Sequence, residues 1–216
     1  MPLANIECNV DDSFIPVNVE TLIKAADARV KAFIDRKCDT QFAGFVPSES
    51  KLVYGALRGL IQSGALNGNS FCEWGSGFGT VTCLAAALGL KAFGIELEAR
   101  LINASRQLAT DFNLPAQFVR GSFVPTKKRS MADEAFQDTM GIYPWLKSQS
   151  GDAYQQLGRQ LNSFDIVFAY PWPGEEYFVQ QLFSETATRG SLLLMYHDDS
   201  SFTILKKMHQ SAQSAF

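Results

Sequence analysis

The sequence predicts an α/β protein built on a doubly wound, mostly parallel sheet, with helices ahead of it and a shortened C-terminal edge. Three observations lead there. Short, almost wholly apolar runs alternate with stretches whose apolar residues recur at three- and four-residue steps. The first of these runs is followed by a glycine-rich loop that opens a helix, and the second ends on an acid. Nearly continuous apolar strands need cover on both faces, and right-handed crossovers through helices supply it.

The elements follow in order. Residues 1–16 read as irregular, punctuated by Asp11-Asp12-Ser13 and Pro16. From Val17 to Lys37, Leu22, Ile23, Ala26, Val30, Phe33 and Ile34 mark one face of a helix. A linker from Cys38 to Pro47 leads to Ser48, a candidate N-cap, and a second helix that stops near Ser63-Gly64. Ser70–Trp74 is a strand, and the loop Gly75–Gly79 leads into a helix through Val81, Leu84, Ala85 and Leu88, ended by Gly89. Ala92–Ile95 is the second strand and Glu96 ends it; a helix from about Glu98 to Phe112 and a third strand, Ala116–Val119, come next.

The alternation breaks from Phe123 to Asn162, a length that in a compact domain usually has a functional or folding role. Phe164–Ala169 resumes it as a strand, followed by Tyr170-Pro171-Trp172-Pro173-Gly174, a helix from about Glu175 to Thr188, and a strand Ser191–Tyr196. Only 20 residues remain beyond Tyr196, enough for one more short strand near Phe202–Lys206. The expected division is a helical extension over 1–47 and a ligand-binding domain over 48–216, with an insertion at 123–163.

Bulk properties narrow the function. At 216 residues, 46% hydrophobic and 19% charged, the chain can bury a core without disulfides or a structural metal. A net charge of −3 makes nucleic acid an unlikely partner, and Lys127-Lys128-Arg129 reads as a solvated turn. Cys8, Cys38, Cys72 and Cys83 show no paired spacing, which fits a reducing compartment. With no basic-then-apolar leader and no run of membrane-spanning length, the expectation is a cytoplasmic protein that does not enter a membrane. The oligomeric state is open.

The loop carries the chemistry. Gly75, Gly77 and Gly79 let a ligand lie against the main chain beyond a strand end. A dinucleotide fingerprint requires glycine at the sixth position of the loop, where Thr80 stands. Glu73, two residues before the first glycine, repels a pyrophosphate and suits an ammonium or sulfonium. Glu96 stands 21 residues beyond Gly75, where an acid accepts hydrogen bonds from ribose hydroxyls.

Phe71-Cys72-Glu73-Trp74-Gly75-Ser76-Gly77-Phe78-Gly79 and Gly94-Ile95-Glu96-Leu97-Glu98 resemble motifs I and II of the class I S-adenosylmethionine-dependent methyltransferases, a Rossmann-like fold. The resemblance spans about residues 46–196. Phe45-Val46-Pro47-Ser48 is similar to the entry segment of the seven-strand protein-lysine methyltransferases. The resemblance implies S-adenosylmethionine as cofactor, with Glu73 near the methionine ammonium, the loop from Gly75 through Ser76 and Gly77 to Gly79 against it, and Glu96 on the ribose. Ser122 takes the place of the acidic residue that such enzymes set on the adenine amine.

Tyr170-Pro171-Trp172-Pro173 resembles the Asp/Asn-Pro-Pro-aromatic loop of amino-group methyltransferases, with Ala169 or Tyr170 where the polar residue stands. The resemblance puts Tyr170, Pro171 and Trp172 on the substrate and favours transfer to nitrogen in a small molecule or protein. Two prolines stiffen the loop, and the aromatic faces suit a planar group or a cationic amine. Tyr170 and Asp198 are candidate bases. His197-Asp198-Asp199 without a distant partner makes a poor metal site, so no metal is expected. Two rivals stay open: an S-adenosylmethionine-binding module without catalysis, and an NAD(P)-linked oxidoreductase, for which no Tyr-x-x-x-Lys arrangement is in place.

Overall fold

A computed structural model gives the fold and describes residues 2–8, 10–11, 13–35, 45–128, 130–133 and 153–208. In chain order it contains β1 (Leu3–Asn5), α1 (Val17–Asp35), α2 (Ser50–Gln62), β2 (Ser70–Trp74) and α3 (Thr80–Ala87). Then come β3 (Lys91–Glu96), α4 (Ala99–Asp111), β4 (Gln117–Arg120), the one-turn α5 (Ala153–Gln156), β5 (Ile166–Ala169), α6 (Glu176–Thr186), β6 (Leu192–Tyr196) and β7 (Phe202–Lys207).

One seven-stranded sheet runs β1-β7-β6-β5-β2-β3-β4. The five inner strands from β6 to β4 are parallel, while β7 is antiparallel to β6 and β1 antiparallel to β7. β2 lies between β5 and β3, with Trp74 level with Ala169 on one side and Ile95 on the other. The chain turns back at this point: β3 and β4 extend one way and β5 and β6 the other.

Alternate residues of the inner strands go to opposite faces. Cys72, Val167, Leu193 and Met195 pack with Phe178, Leu182 and Phe183 of α6. Phe71, Ile166, Phe168, Leu192 and Leu194 pack with Val53, Leu57 and Leu60 of α2 and with Val81 and Ala85 of α3. Val19, Leu22, Ile23 and Ala26 of α1 join Cys83, Leu84, Ile102 and Leu108 of α3 and α4. The helical extension is thereby fixed to the same core. This two-sided cover is why the strands read as nearly continuous apolar runs.

Two local expectations are corrected. Residues 1–16 are not wholly irregular: Leu3, Ala4 and Asn5 pair with Lys207, Lys206 and Leu205. Among the described residues the C-terminal part supplies β7, and β1 fills the outermost position beyond it. Ser48 is not the cap of α2; Glu49 holds that place and makes no side-chain capping bond. Cys38, Arg129, His209 and Tyr143-Pro144-Trp145 of the insertion lie outside the described residues.

Candidate functional site

At the carboxyl ends of the parallel strands, where the strand order reverses beside β2, the structure contains a cavity of about 550 Å³. Its floor is the loop after β2. Gly75 and Gly79 adopt φ of 77° and 73°, the left-handed region. A Cβ at Gly75 would meet nothing within 4 Å, so the cavity side of that residue is open. At Gly79 it would come within 2.5 Å of Ser105 Cβ and 2.6 Å of the Phe118 ring. Gly79 lets α3 pack against its neighbours, and Gly75 leaves room for a ligand. Behind Gly77 lies the Phe45 ring, which meets Phe78 edge-on at 5.2 Å.

Four of the five loop amides are already spent. Gly75 and Ser76 N–H both donate to Ile95 O, at 3.0 and 2.9 Å, and Gly79 N–H donates to Ser76 O at 2.6 Å. Gly77 N–H donates to Glu96 Oε2 at 2.9 Å. Glu73 reaches past the loop to the first turn of α3, where Oε2 accepts from Thr82 N–H at 2.8 Å and from the Thr82 hydroxyl. Glu73 is 5% exposed, and burial with Glu96 nearby pushes its carboxyl up to about 8 despite the Thr82 bonds.

Glu96, at the end of β3, accepts from Leu97 and Glu98 N–H through Oε1, at 2.7 and 2.9 Å, besides the Gly77 bond. Three of about four lone-pair positions are thus taken, which leaves the carboxylate fixed in direction with capacity for a hydroxyl. Ser122 Oγ instead accepts from Val124 N–H at 3.1 Å, and it is the neighbours Gly121 and Phe123 that line the cavity.

The opposite wall is the loop after β5. Tyr170, Pro171 and Trp172 all line the cavity. The Tyr170 hydroxyl donates to Asp198 Oδ1 at 2.7 Å, and its ring stands edge-on to Tyr196 at 4.9 Å. Burial and the Asp198 carboxylate push the phenol well above its ordinary range, so the Tyr170 proton stays on oxygen, directed at Asp198. Trp172 N–H donates to Glu175 Oε2 at 3.1 Å. His197 and Asp199 belong to the β6–β7 turn, where His197 Nε2 lies 2.8 Å from Thr203 Oγ1 and Asp199 accepts from Ser201 N–H. Among the described residues no group of three His, Cys, Asp or Glu is placed to hold a metal ion.

Several lining residues escape sequence reasoning. Asp27 and Val30 of α1 and Phe45–Ser48 form part of the wall. Asp27 shares a helical face with buried Ile23 and Val30, and a charge on an apolar stripe was the available signal. Trp74 Nε1 and Ser76 Oγ are buried without a hydrogen-bond partner, on residues 3% and 4% exposed. Cys72 and Cys83 are buried free thiols whose ionisation burial opposes, which fits inert packing.

No protein-family model and no curated protein sequence matches the chain. Solved structures do. An RNA methyltransferase from Salinibacter ruber, in complex with S-adenosyl-L-homocysteine, superposes with a TM-score of 0.51 over 78% of this chain and 98% of that one, at 14% identity. A methyltransferase from Geobacter sulfurreducens gives 0.49 over 85% and 76%, at 12% identity. An O-methyltransferase from Bacillus cereus, in complex with SAH, gives 0.48 over 86% and 69%, at 14% identity. The likeness to the first establishes a Rossmann-like methyltransferase fold; at such identities it is a statement about fold.

Proposed function

We propose that this chain is an S-adenosylmethionine-dependent methyltransferase that binds its cofactor in the cavity over Gly75. The observation that carries the reading is the state of the loop. A pyrophosphate at a Rossmann helix needs unoccupied amides and no local negative charge. Here four loop amides are bonded internally, and the Glu73 carboxyl already caps α3 through Thr82. A nucleoside carrying a sulfonium and an ammonium needs the reverse: carboxylates, open space over a glycine and a fixed acid for the ribose.

The residues present fit that group. Gly75 leaves the space, Glu73 supplies charge beneath it, and Glu96 has capacity for a ribose hydroxyl. Ser76 Oγ, buried and without a partner, offers a hydrogen bond to a ligand. The cofactor when bound supplies an electrophilic methyl group on a positively charged sulfur. The protein's part is alignment of the acceptor and exclusion of water, with Tyr170, Pro171 and Trp172 as the acceptor wall. A nitrogen acceptor suits that wall, because Asp198 stands beside it at 2.7 Å from the Tyr170 oxygen and can receive a proton across the hydroxyl.

Titration calorimetry on the full chain tests the reading. S-adenosylmethionine and S-adenosylhomocysteine should each bind at one site per chain, and NADH should give no heat. Tight binding of NADH alone would restore the oxidoreductase. The module without catalysis has one observation behind it, the aliphatic Ala169 at the end of β5, and methyl release with any acceptor removes it.

A further inference from the structure

We infer that the methyl acceptor enters this cavity as an organic cation, an alkylammonium selected by the charge of the walls. The inference rests on the methyl-transfer reading and deepens it. Among the described residues, the formally charged ones lining the cavity are Asp27, Glu73, Glu96, Glu98, Glu175 and Asp198, with no Lys, Arg or His. They come from six places in the fold: α1, the end of β2, the end of β3, the cap of α4, the start of α6 and the β6–β7 turn. Such a convergence is not the solvated acidic face of one helix.

Glu73 is bonded to Thr82, Glu96 to three backbone amides, Glu98 to Arg100 N–H and Asp198 to the Tyr170 hydroxyl. All of these are neutral donors. Lys51 is the cation acting on Asp27, and it does not line the cavity. Glu73 holds a proton at neutral pH, so the charge of the walls comes chiefly from Asp27, Glu96, Glu98 and Asp198. The cofactor brings one net positive charge, too little to neutralise them.

Two further features point to a ligand. Trp74 and Ser76 line the cavity, and their Nε1 and Oγ are buried without a partner, which native proteins rarely allow. The cavity is also lined by Tyr170, Trp172 and Phe123, and the Phe123 ring lies parallel to Trp74, 5.2 Å away. Ring faces attract a cation, and anionic walls focus one. A polyanionic acceptor such as RNA meets like charges on these walls, and a neutral phenol uses none of them.

The transfer balances simply. The ammonium gives one proton to the Tyr170 hydroxyl as that group passes its own to Asp198, and the nitrogen lone pair forms a C–N bond to the methyl carbon. The C–S bond breaks with its electron pair left on sulfur, and the methylated amine departs as a cation.

The experiment uses three probes of one shape, phenethylamine, 2-phenylethanol and 3-phenylpropionate, titrated into the full chain with and without saturating S-adenosylhomocysteine. Phenethylamine should bind at least tenfold more tightly than the alcohol, with the carboxylate weaker still, and Asp27→Asn and Asp198→Asn should each narrow the ratio several-fold. Equal binding of amine and alcohol, or tighter binding of the carboxylate or of a short oligoribonucleotide, overturns the inference. S-adenosylhomocysteine titrated alone reports on the methyl-donor reading, so the two failures are distinguishable. With S-adenosylmethionine present, radiolabelled methyl should pass to phenethylamine and not to the alcohol.

Discussion

Glu73 is the residue on which the site turns. Its carboxyl has an ordinary value of 4.5 and is pushed up to about 8 in the fold, chiefly by burial. Between those values the native chain holds a proton that the unfolded chain has lost. The stabilising effect is therefore full below about pH 4.5 and is lost as pH rises through about 8, at up to about 1.4 kcal/mol per pH unit from this one group. Urea unfolding of the ligand-free protein at a series of pH values should show that slope, and Glu73→Gln should flatten it while keeping the Thr82 bond. A positively charged ligand favours the ionised form, so binding of S-adenosylmethionine should release a proton below pH 8. Calorimetry in buffers of different ionisation heat reads that release directly. Tyr170→Phe removes the hydroxyl but keeps the ring; its turnover should fall by about 10²-fold or more with little change in cofactor affinity, if proton removal passes Asp198. Gly79→Ala places a methyl against Ser105 and Phe118 at a left-handed φ, and should cost about 2–4 kcal/mol in chemical denaturation. The positions of Glu73 and Glu96 at the cavity were legible because an acid at a strand end is a local pattern. The orphaned Trp74 N–H was not, since a missing partner is a property of the surroundings.

Among the elements, the strand–loop–helix of β2 and α3 is the most local and the most readable. Three apolar residues of β2, three glycines and a helical periodicity lie within a single run of the chain. α1 is readable as a helix, yet its contribution to the cavity through Asp27 depends on docking against α3 and α4. Phe33 and Phe45 both meet Phe78 edge-on, at 5.0 and 5.2 Å, which ties α1 and the segment before α2 to the glycine loop. β1 was not readable, for three residues carry no period, and its place is set by partners two hundred positions away at Leu205–Lys207. Without it, β7 presents an open edge of unpaired amides and carbonyls. Removal of residues 1–6 should lower the urea midpoint and bring concentration-dependent association, measured by light scattering; an unchanged midpoint with a monomeric species would show β1 to be dispensable.

For the whole molecule, the net charge of −3 describes the surface poorly at the point where it matters. The negative charge is gathered from distant segments into one cavity, so attraction of a cationic acceptor should weaken as salt rises, while affinity for the neutral 2-phenylethanol stays level. The sequence by itself determined the α/β class, the parallel core, the ligand loop and the acid at Glu96, because each is written in residues close together along the chain. Only the tertiary structure decided that β1 completes the sheet, that Asp27, Glu175 and Asp198 join Glu73 and Glu96 around one space, and that four of the five loop amides bond within the protein. Those are relations between segments brought together by burial of the two sheet faces, and burial acts through space without regard to order in the chain.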